Sequence, residues 1–219
     1  MTSVTDRLDV LASAIARAAP DMNAEQERIA LSVYRSLAQG APMGPDDIAE
    51  HAGASTERVQ ALLRSWPGVF LDNAERVVGF WGLTILRLSP THRLEMNGRE
   101  LFAWCAWDTL FLPELLSGRA VVESSCPVTG ETISLVVSPS GILETSHPGA
   151  VVSFLLPERD FDSDIVRSFC HFIYFFSSRD AGEQWTSAHP GTFLLSLGEA
   201  FDLGSRVNHV NFPTALDAR

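Results

Sequence analysis

The chain has 219 residues, 46% of them apolar and 20% charged, enough to bury a full core as one large domain or two small ones. Sixteen Lys and Arg against 27 Asp and Glu leave a net charge of −11, which excludes general affinity for nucleic acid or anionic membranes, since both rest on clustered cations. No apolar run approaches the roughly 18 residues that span a bilayer, and Asp6, Arg7, Asp9 and Arg17 interrupt any signal-peptide core, so a cytoplasmic protein is expected.

In chain order, residues 5–19 place Leu8, Leu11, Ala12 and Ile15 at helical spacing and predict a short amphipathic helix. Residues 25–39 repeat the pattern through Ile29, Val33 and Leu37, and Gly40 closes it. Met43-Gly44-Pro45-Asp46-Asp47 opens another helix, with Pro and acids in its first turn, and Gly53 stops it. Ser55 is a good N-cap for the next, which runs through Val59, Leu62 and Leu63 to Trp66. Residues 69–71 and 77–81 flank Asp72-Asn73-Ala74-Glu75-Arg76 and read as a hairpin. Helix, helix, helix, hairpin is the order of a winged-helix module. The presumed recognition helix, residues 55–66, holds only Arg58 and Arg64 beside Glu57, and the hairpin sets Arg76 against Asp72 and Glu75. That is too few cations to read DNA, so the module is expected to pack against the rest of the protein.

After Gly82 the pattern changes. Residues 83–88 read as a strand and 89–91 as a turn. Residues 92–96 and 99–104 flank Asn97-Gly98, the strongest short-range hairpin signal. Residues 120–125 and 132–137 are strands around Cys126-Pro127-Val128-Thr129-Gly130, and 138–141 are a turn. Residues 150–157 form another strand, followed by an acidic loop over 158–164. The run 165–176 is so aromatic and β-branched that it predicts a largely buried strand. A helix begins at Glu183-Gln184-Trp185 after a turn at residues 177–180, and a last one spans 194–201, with Leu203-Gly204 past its end. Strands joined by hairpins, with peripheral helices, predict an α+β fold with a mostly antiparallel sheet. The order divides the chain into a helical, winged-helix-like module over residues 1–84 and an α+β domain over 85–219.

One stretch in the second part organises the rest: Leu101-Phe102-Ala103-Trp104-Cys105-Ala106-Trp107-Asp108-Thr109-Leu110. A thiol and a carboxyl stand three residues apart among large apolar side chains, and at helical spacing they share one face. A buried carboxylate is costly without a partner, so an acid between Trp107 and Leu110 points to chemistry; the bland alternative is a first-turn charge beside a cysteine that packs as a small hydrophobe. The strand ends where the helix begins, so the helix N-terminus should favour thiolate at Cys105, and Pro113 should limit the helix. The three cysteines, 105, 126 and 170, are odd in number and far apart. They form neither a disulfide framework nor a Cys-x-x-Cys zinc knuckle, and are free for soft-metal or nucleophilic chemistry. A Cys–His–Asp hydrolase built on Cys170 and His171 is disfavoured, because neighbours along a strand face opposite ways.

Read together, these motifs closely resemble the organomercurial (alkylmercury) lyase family. The segments that carry the resemblance are the 101–110 stretch, Cys126-Pro127-Val128-Thr129-Gly130 with Ser138-Pro139-Ser140, Ser168-Phe169-Cys170-His171, and Glu199-Ala200-Phe201. They span most of residues 80–205. Two departures stand out: Trp107 replaces a smaller aliphatic residue, and His171 stands where some relatives carry another cysteine. The resemblance implies a catalytic set of Cys105, Asp108 and Cys170, a structural role for Cys126, and an aromatic, Trp104, beside the nucleophile. It implies protonolysis of R–Hg⁺ to the hydrocarbon R–H and Hg²⁺ by two thiolates and an aspartate proton carrier, in mercury detoxification. No organic cofactor is then needed. The expected partners are an organomercurial, low-molecular-weight thiols and a mercuric reductase that receives Hg²⁺. The competing reading is a non-catalytic mercury- or copper-binding relative that keeps the thiols; retention of Asp108 argues against it.

Overall fold

A computed structural model describes residues 4–216 apart from Pro90 and Glu158; those two, which fall in the expected turn at 89–91 and the expected acidic loop, lie outside the described residues. The N-terminal part is helical, as its periodicity predicts: α1 (Val4–Ala18), α2 (Ala24–Leu37), α3 (Pro45–Ala52) and α4 (Thr56–Ser65). Their ends are set by local chemistry. Asn23 and Gln26 cap α2 reciprocally, each side chain accepting the other's backbone N–H. Gly53, at φ +63°, closes α3, and the Ser55 hydroxyl accepts from the Arg58 N–H at the start of α4.

The hairpin that follows, β1 (Val69–Leu71) and β2 (Val77–Phe80), opens the main sheet rather than a sheet of its own. That sheet adds β3 (Leu83–Thr84), β4 (His92–Met96), β5 (Arg99–Ala103), β6 (Ala120–Ser125), β7 (Thr132–Ser138) and β8 (Gly141–Thr145), in the order β1-β2-β3-β5-β4-β6-β7-β8, antiparallel throughout. Asn97 and Gly98 both adopt positive φ, as the two-residue turn between β4 and β5 requires. A second antiparallel sheet, β10-β9-β11, is built from β9 (Val151–Phe154), β10 (Phe175–Phe176) and β11 (Phe193–Ser196). Around the sheets lie α5 (Asp108–Leu115), α6 (Ile165–Ser168), α7 (Arg179–Ser187), α8 (Leu197–Asn211) and α9 (Pro213–Leu216).

Several segments depart from the pattern reading. The run 165–176 is not a strand: it forms α6, then a 3₁₀ turn over Cys170–Phe172, and only Phe175 and Phe176 pair with β9. The Ser153 side chain takes part of the ladder's place, donating to the Phe172 carbonyl and accepting from the Tyr174 N–H, while Phe169 turns inward against Phe154 and Phe161. Tertiary packing overrides β-propensity here. The expected strand 83–88 stops at Thr84, whose hydroxyl donates to the Val78 carbonyl and accepts from the Leu86 N–H. The expected strand 150–157 shrinks to β9, and β8 was not apparent because its exposure does not alternate. α7 starts four residues earlier than expected, capped by Ser178. Pro113 does not end α5, which continues to Leu115.

The last helix is also different. Residues 193–196 are strand, and α8 begins at Leu197 behind a Ser196–Glu199 capping box and runs past Gly204 to Asn211. Gly204 is therefore a packing glycine, not a terminator: a Cβ there would lie 2.8 Å from Phe111 Cβ on α5. Gly→Ala in an open helix is worth about 1 kcal/mol of stabilisation, but overpacking against a rigid Cβ costs about 1–3 kcal/mol. Gly204→Ala is expected to lower the urea midpoint, with α5 and α8 forced apart; a midpoint at or above that of the wild type would contradict this packing.

Candidate functional site

The two thiol segments come from distant parts of the chain and are joined by a backbone hydrogen bond. β5 ends at Ala103, residues 104–107 turn, and α5 starts at Asp108. Cys105 thus precedes the helix by three residues instead of opening it. Its backbone N–H donates to Asp108 Oδ2 at 2.9 Å, the same i,i+3 relation by which a capping-box acid accepts the backbone N–H three residues before it. The next N–H, of Ala106, donates to the Ile173 carbonyl at 3.2 Å, and the Ile173 N–H donates to the Cys170 carbonyl at 3.1 Å. Cys170 is thereby brought under Cys105.

The result is a cluster of three. The ligand atoms of Cys105, Asp108 and Cys170 all lie within 4.8 Å of one another, and all three residues are buried. The i,i+3 spacing predicted the first pair. Cys126 stands elsewhere, in the turn after β6, where its N–H donates to the Glu131 carbonyl and its carbonyl accepts from Gly130. His171 is exposed while Cys170 is buried, so no Cys–His pair forms; the two residues part because they sit on a 3₁₀ turn, not on a strand. Trp104 is buried beside the cluster, edge-on to Phe70 at 5.0 Å, and its indole N–H has no partner among the described residues.

Burial governs the electrostatics. It pushes the Asp108 carboxyl up to about 7, against hydrogen bonds from the Cys105 thiol and from the Cys105 and Trp104 backbone that favour the charged form. The Cys105 thiol is raised well above its ordinary value, first by burial, then by its hydrogen bond with Cys170 and the nearby Asp108 carboxylate. The expectation of a thiolate stabilised by the helix start fails, because the helix begins later and the Cys105 N–H is turned to Asp108. For Cys170, the hydrogen bond with Cys105 lowers the thiol, but burial and Asp108 outweigh it and leave it raised. Cys126 is the opposite case: burial alone would raise it, yet the Thr129 hydroxyl and the Thr129, Ser177 and Val128 N–H groups bring it below its usual value.

A cavity of about 70 Å³ reaches the cluster through Asp108 and Cys170, while Cys105 lies outside its lining. Its walls are aromatic, with Tyr34, Trp81, Trp107, Phe161 and Phe212 among them, and they come from both ends of the chain. Trp107 is fixed there by an indole N–H bond to the Ala200 carbonyl at 2.9 Å and by edge contacts with Phe111 and Phe154. Of the lining residues that the pattern reading missed, two bear directly on Asp108. Gly82, at φ +90°, faces Asp108 so closely that a Cβ would lie 2.7 Å from Asp108 Cγ; a glycine just after a strand was the available signal. Tyr34 gave none, since an aromatic on the apolar face of a helix reads as core.

The alkylmercury lyase family model matches residues 88–208. Alkylmercury lyases of Staphylococcus epidermidis and Bacillus cereus are 39% and 42% identical over 173 residues, covering 78% of this chain and 77% of each relative. That of Pseudomonas putida is 37% identical over 179 residues, covering 82% of both. A crystal structure described as the mercury-bound form of MerB2 superposes with a TM-score of 0.72 at 23% identity, covering 93% of this chain and 98% of the other, and so shares the fold. With identities of this size over more than three quarters of its length, the chain belongs to the alkylmercury lyase family.

Proposed function

We propose that this protein is a lyase that cleaves the carbon–mercury bond of organomercurials, giving the hydrocarbon and Hg²⁺, in mercury detoxification. The observation that carries the reading is the buried cluster of two thiols and one carboxyl whose ligand atoms lie within 4.8 Å of one another. Mercury is the substrate's own metal, and thiolate is the ligand it prefers. The aromatic cavity offers the organic group an apolar place next to Asp108 and Cys170, so Cys170 is the first thiol an incoming mercury meets.

The protons balance as R–Hg–X + 2 Cys–SH → R–H + Hg(S–Cys)₂ + HX. Both thiols are held protonated at rest, and coordination to the metal releases their protons. Asp108, at about 7, is present in both forms near neutral pH and can take a proton from one thiol. X displaced from mercury leaves with the other. Two sulfurs donating to mercury weaken the Hg–C bond, negative charge develops on carbon, and Asp108 returns its proton there to form R–H. The chemistry asks for no organic cofactor. Exogenous low-molecular-weight thiols, or the thiols of a mercuric reductase, would take Hg²⁺ from the two sulfurs, in keeping with a reducing cytoplasm.

Asp108→Asn keeps the shape of the side chain and removes the titratable proton. It should bind Hg²⁺ stoichiometrically, while release of benzene from phenylmercury under excess thiol falls by roughly 10²–10⁴, the worth of a positioned acid–base group. Cleavage at the wild-type rate would reduce Asp108 to a first-turn charge and leave a metal-binding relative as the reading.

The same carboxyl makes stability depend on pH. Its folded-state value, about 7, lies above that of an unfolded aspartate, so the folded chain binds the proton more tightly. The stabilisation is complete below about pH 4 and is lost as pH rises to about 7, on the order of 4 kcal/mol in all. Unfolding free energies measured from pH 4 to 8 should therefore fall more steeply for the wild type than for Asp108→Asn; parallel curves would refute the raised value.

Cys126 is assigned a structural role, because it is buried in an inter-strand turn away from the cluster. Cys126→Ser should cost roughly 1–3 kcal/mol of stability and leave hydrocarbon release per folded molecule nearly unchanged. A folded but inactive variant would show the thiol to be part of the reaction.

A further inference from the structure

Tyr34 lies on α2, ahead of the residues that the family model matches. Its side chain is buried, edge-on to Phe80 at 5.0 Å and to Phe212 at 6.3 Å. Its hydroxyl donates to the Trp81 carbonyl at 2.8 Å. Trp81 is a non-glycine residue at φ +37°, and Gly82 follows at φ +90°. Two successive residues in the left-handed region persist only where the surroundings fix them. The Trp81 N–H is fixed to the Gly68 carbonyl at 3.0 Å, and the Gly82 carbonyl accepts from the Trp104 N–H at 2.9 Å. The Trp81 carbonyl is fixed by Tyr34. The turn so held lies directly against the Asp108 side chain, as the 2.7 Å approach of a Gly82 Cβ to Asp108 Cγ shows.

We infer that Tyr34 is a positioning residue for carbon–mercury cleavage: its hydroxyl, through the Trp81 carbonyl, holds the turn at residues 81–82 against the Asp108 carboxyl and fixes where that carboxyl points. The inference rests on the reading of Asp108 as proton carrier. Its electrostatic corollary agrees, since the Tyr34 phenol is raised well above its usual value by burial and, second, by the charge of Asp108. Tyr34, Trp81, Gly82 and Asp108 all line the same cavity, so the N-terminal helices complete the site as well as cover it.

A double-mutant cycle on the full chain tests this. Benzene release from phenylmercury with excess thiol, Hg²⁺ stoichiometry and thermal melting are measured for wild type, Tyr34→Phe, Asp108→Asn and the double variant. Tyr34→Phe removes only the hydroxyl. It should still bind Hg²⁺ stoichiometrically, keep KM within about twofold and lose roughly ten- to a hundredfold in kcat, the scale of a misplaced reacting group. In the Asp108→Asn background the same change should alter the residual rate by less than about twofold, because there is no longer a proton to aim. A purely structural hydroxyl would lower both backgrounds equally, and that result would overturn the assignment. So would a wild-type kcat in Tyr34→Phe, or a Tyr34→Phe chain that no longer folds, which would make the hydroxyl a folding determinant. Absence of benzene release by the wild type would sink the lyase reading itself, and this inference with it.

Discussion

The carboxyl of Asp108 is buried and accepts the Cys105 backbone N–H, and the rest of the molecule is arranged around that condition. A charged carboxylate in such a place would be expensive; a group near its midpoint at neutral pH is the cheaper state and the useful one. The surroundings that impose it are the end of β5, the turn at residues 104–107, the Gly82 backbone and the aromatic cavity. Each is rigid because it is packed on something larger: β5 lies within the eight-stranded sheet, α5 packs on α8 through Gly204, and Trp107 is pinned to Ala200.

Both ends of the chain contribute. The winged-helix order of the first part suggests an independent reader of nucleic acid, but its charge does not, and its hairpin is the edge of the main sheet. α2 supplies Tyr34, α1 supplies Ile15, and the far end of α8 supplies Phe212 beyond it to the same cavity. A catalytic segment of residues 88–208 alone would leave one wall of that cavity open.

Much of this was legible in the sequence, for reasons that differ from place to place. Asn97-Gly98 announced its hairpin because positive φ at two successive positions has few chemical solutions. Cys105 and Asp108 could be paired because an i,i+3 relation survives whether the backbone there is a helix or, as here, a turn leading into one. Cys170 could be assigned by resemblance but not by pattern: its segment has the composition of a strand and the shape of a short helix and a 3₁₀ turn, since Ser153 takes up its backbone groups from a distance and Phe169 turns into the core. The thiol charge was misjudged for a related reason. A helix start favours thiolate only when its N–H groups point at the sulfur, and the Cys105 N–H points at Asp108. Gly82 and Tyr34 act through space on a residue far along the chain, and no local spacing encodes that.

The hydrogen bond from Ala106 to Ile173 ties the two thiol segments together before any ligand arrives. The second sulfur is therefore a chelating arm already in place, and its encounter with a metal held by the first is governed by effective concentration rather than by a search through the 64 residues between them.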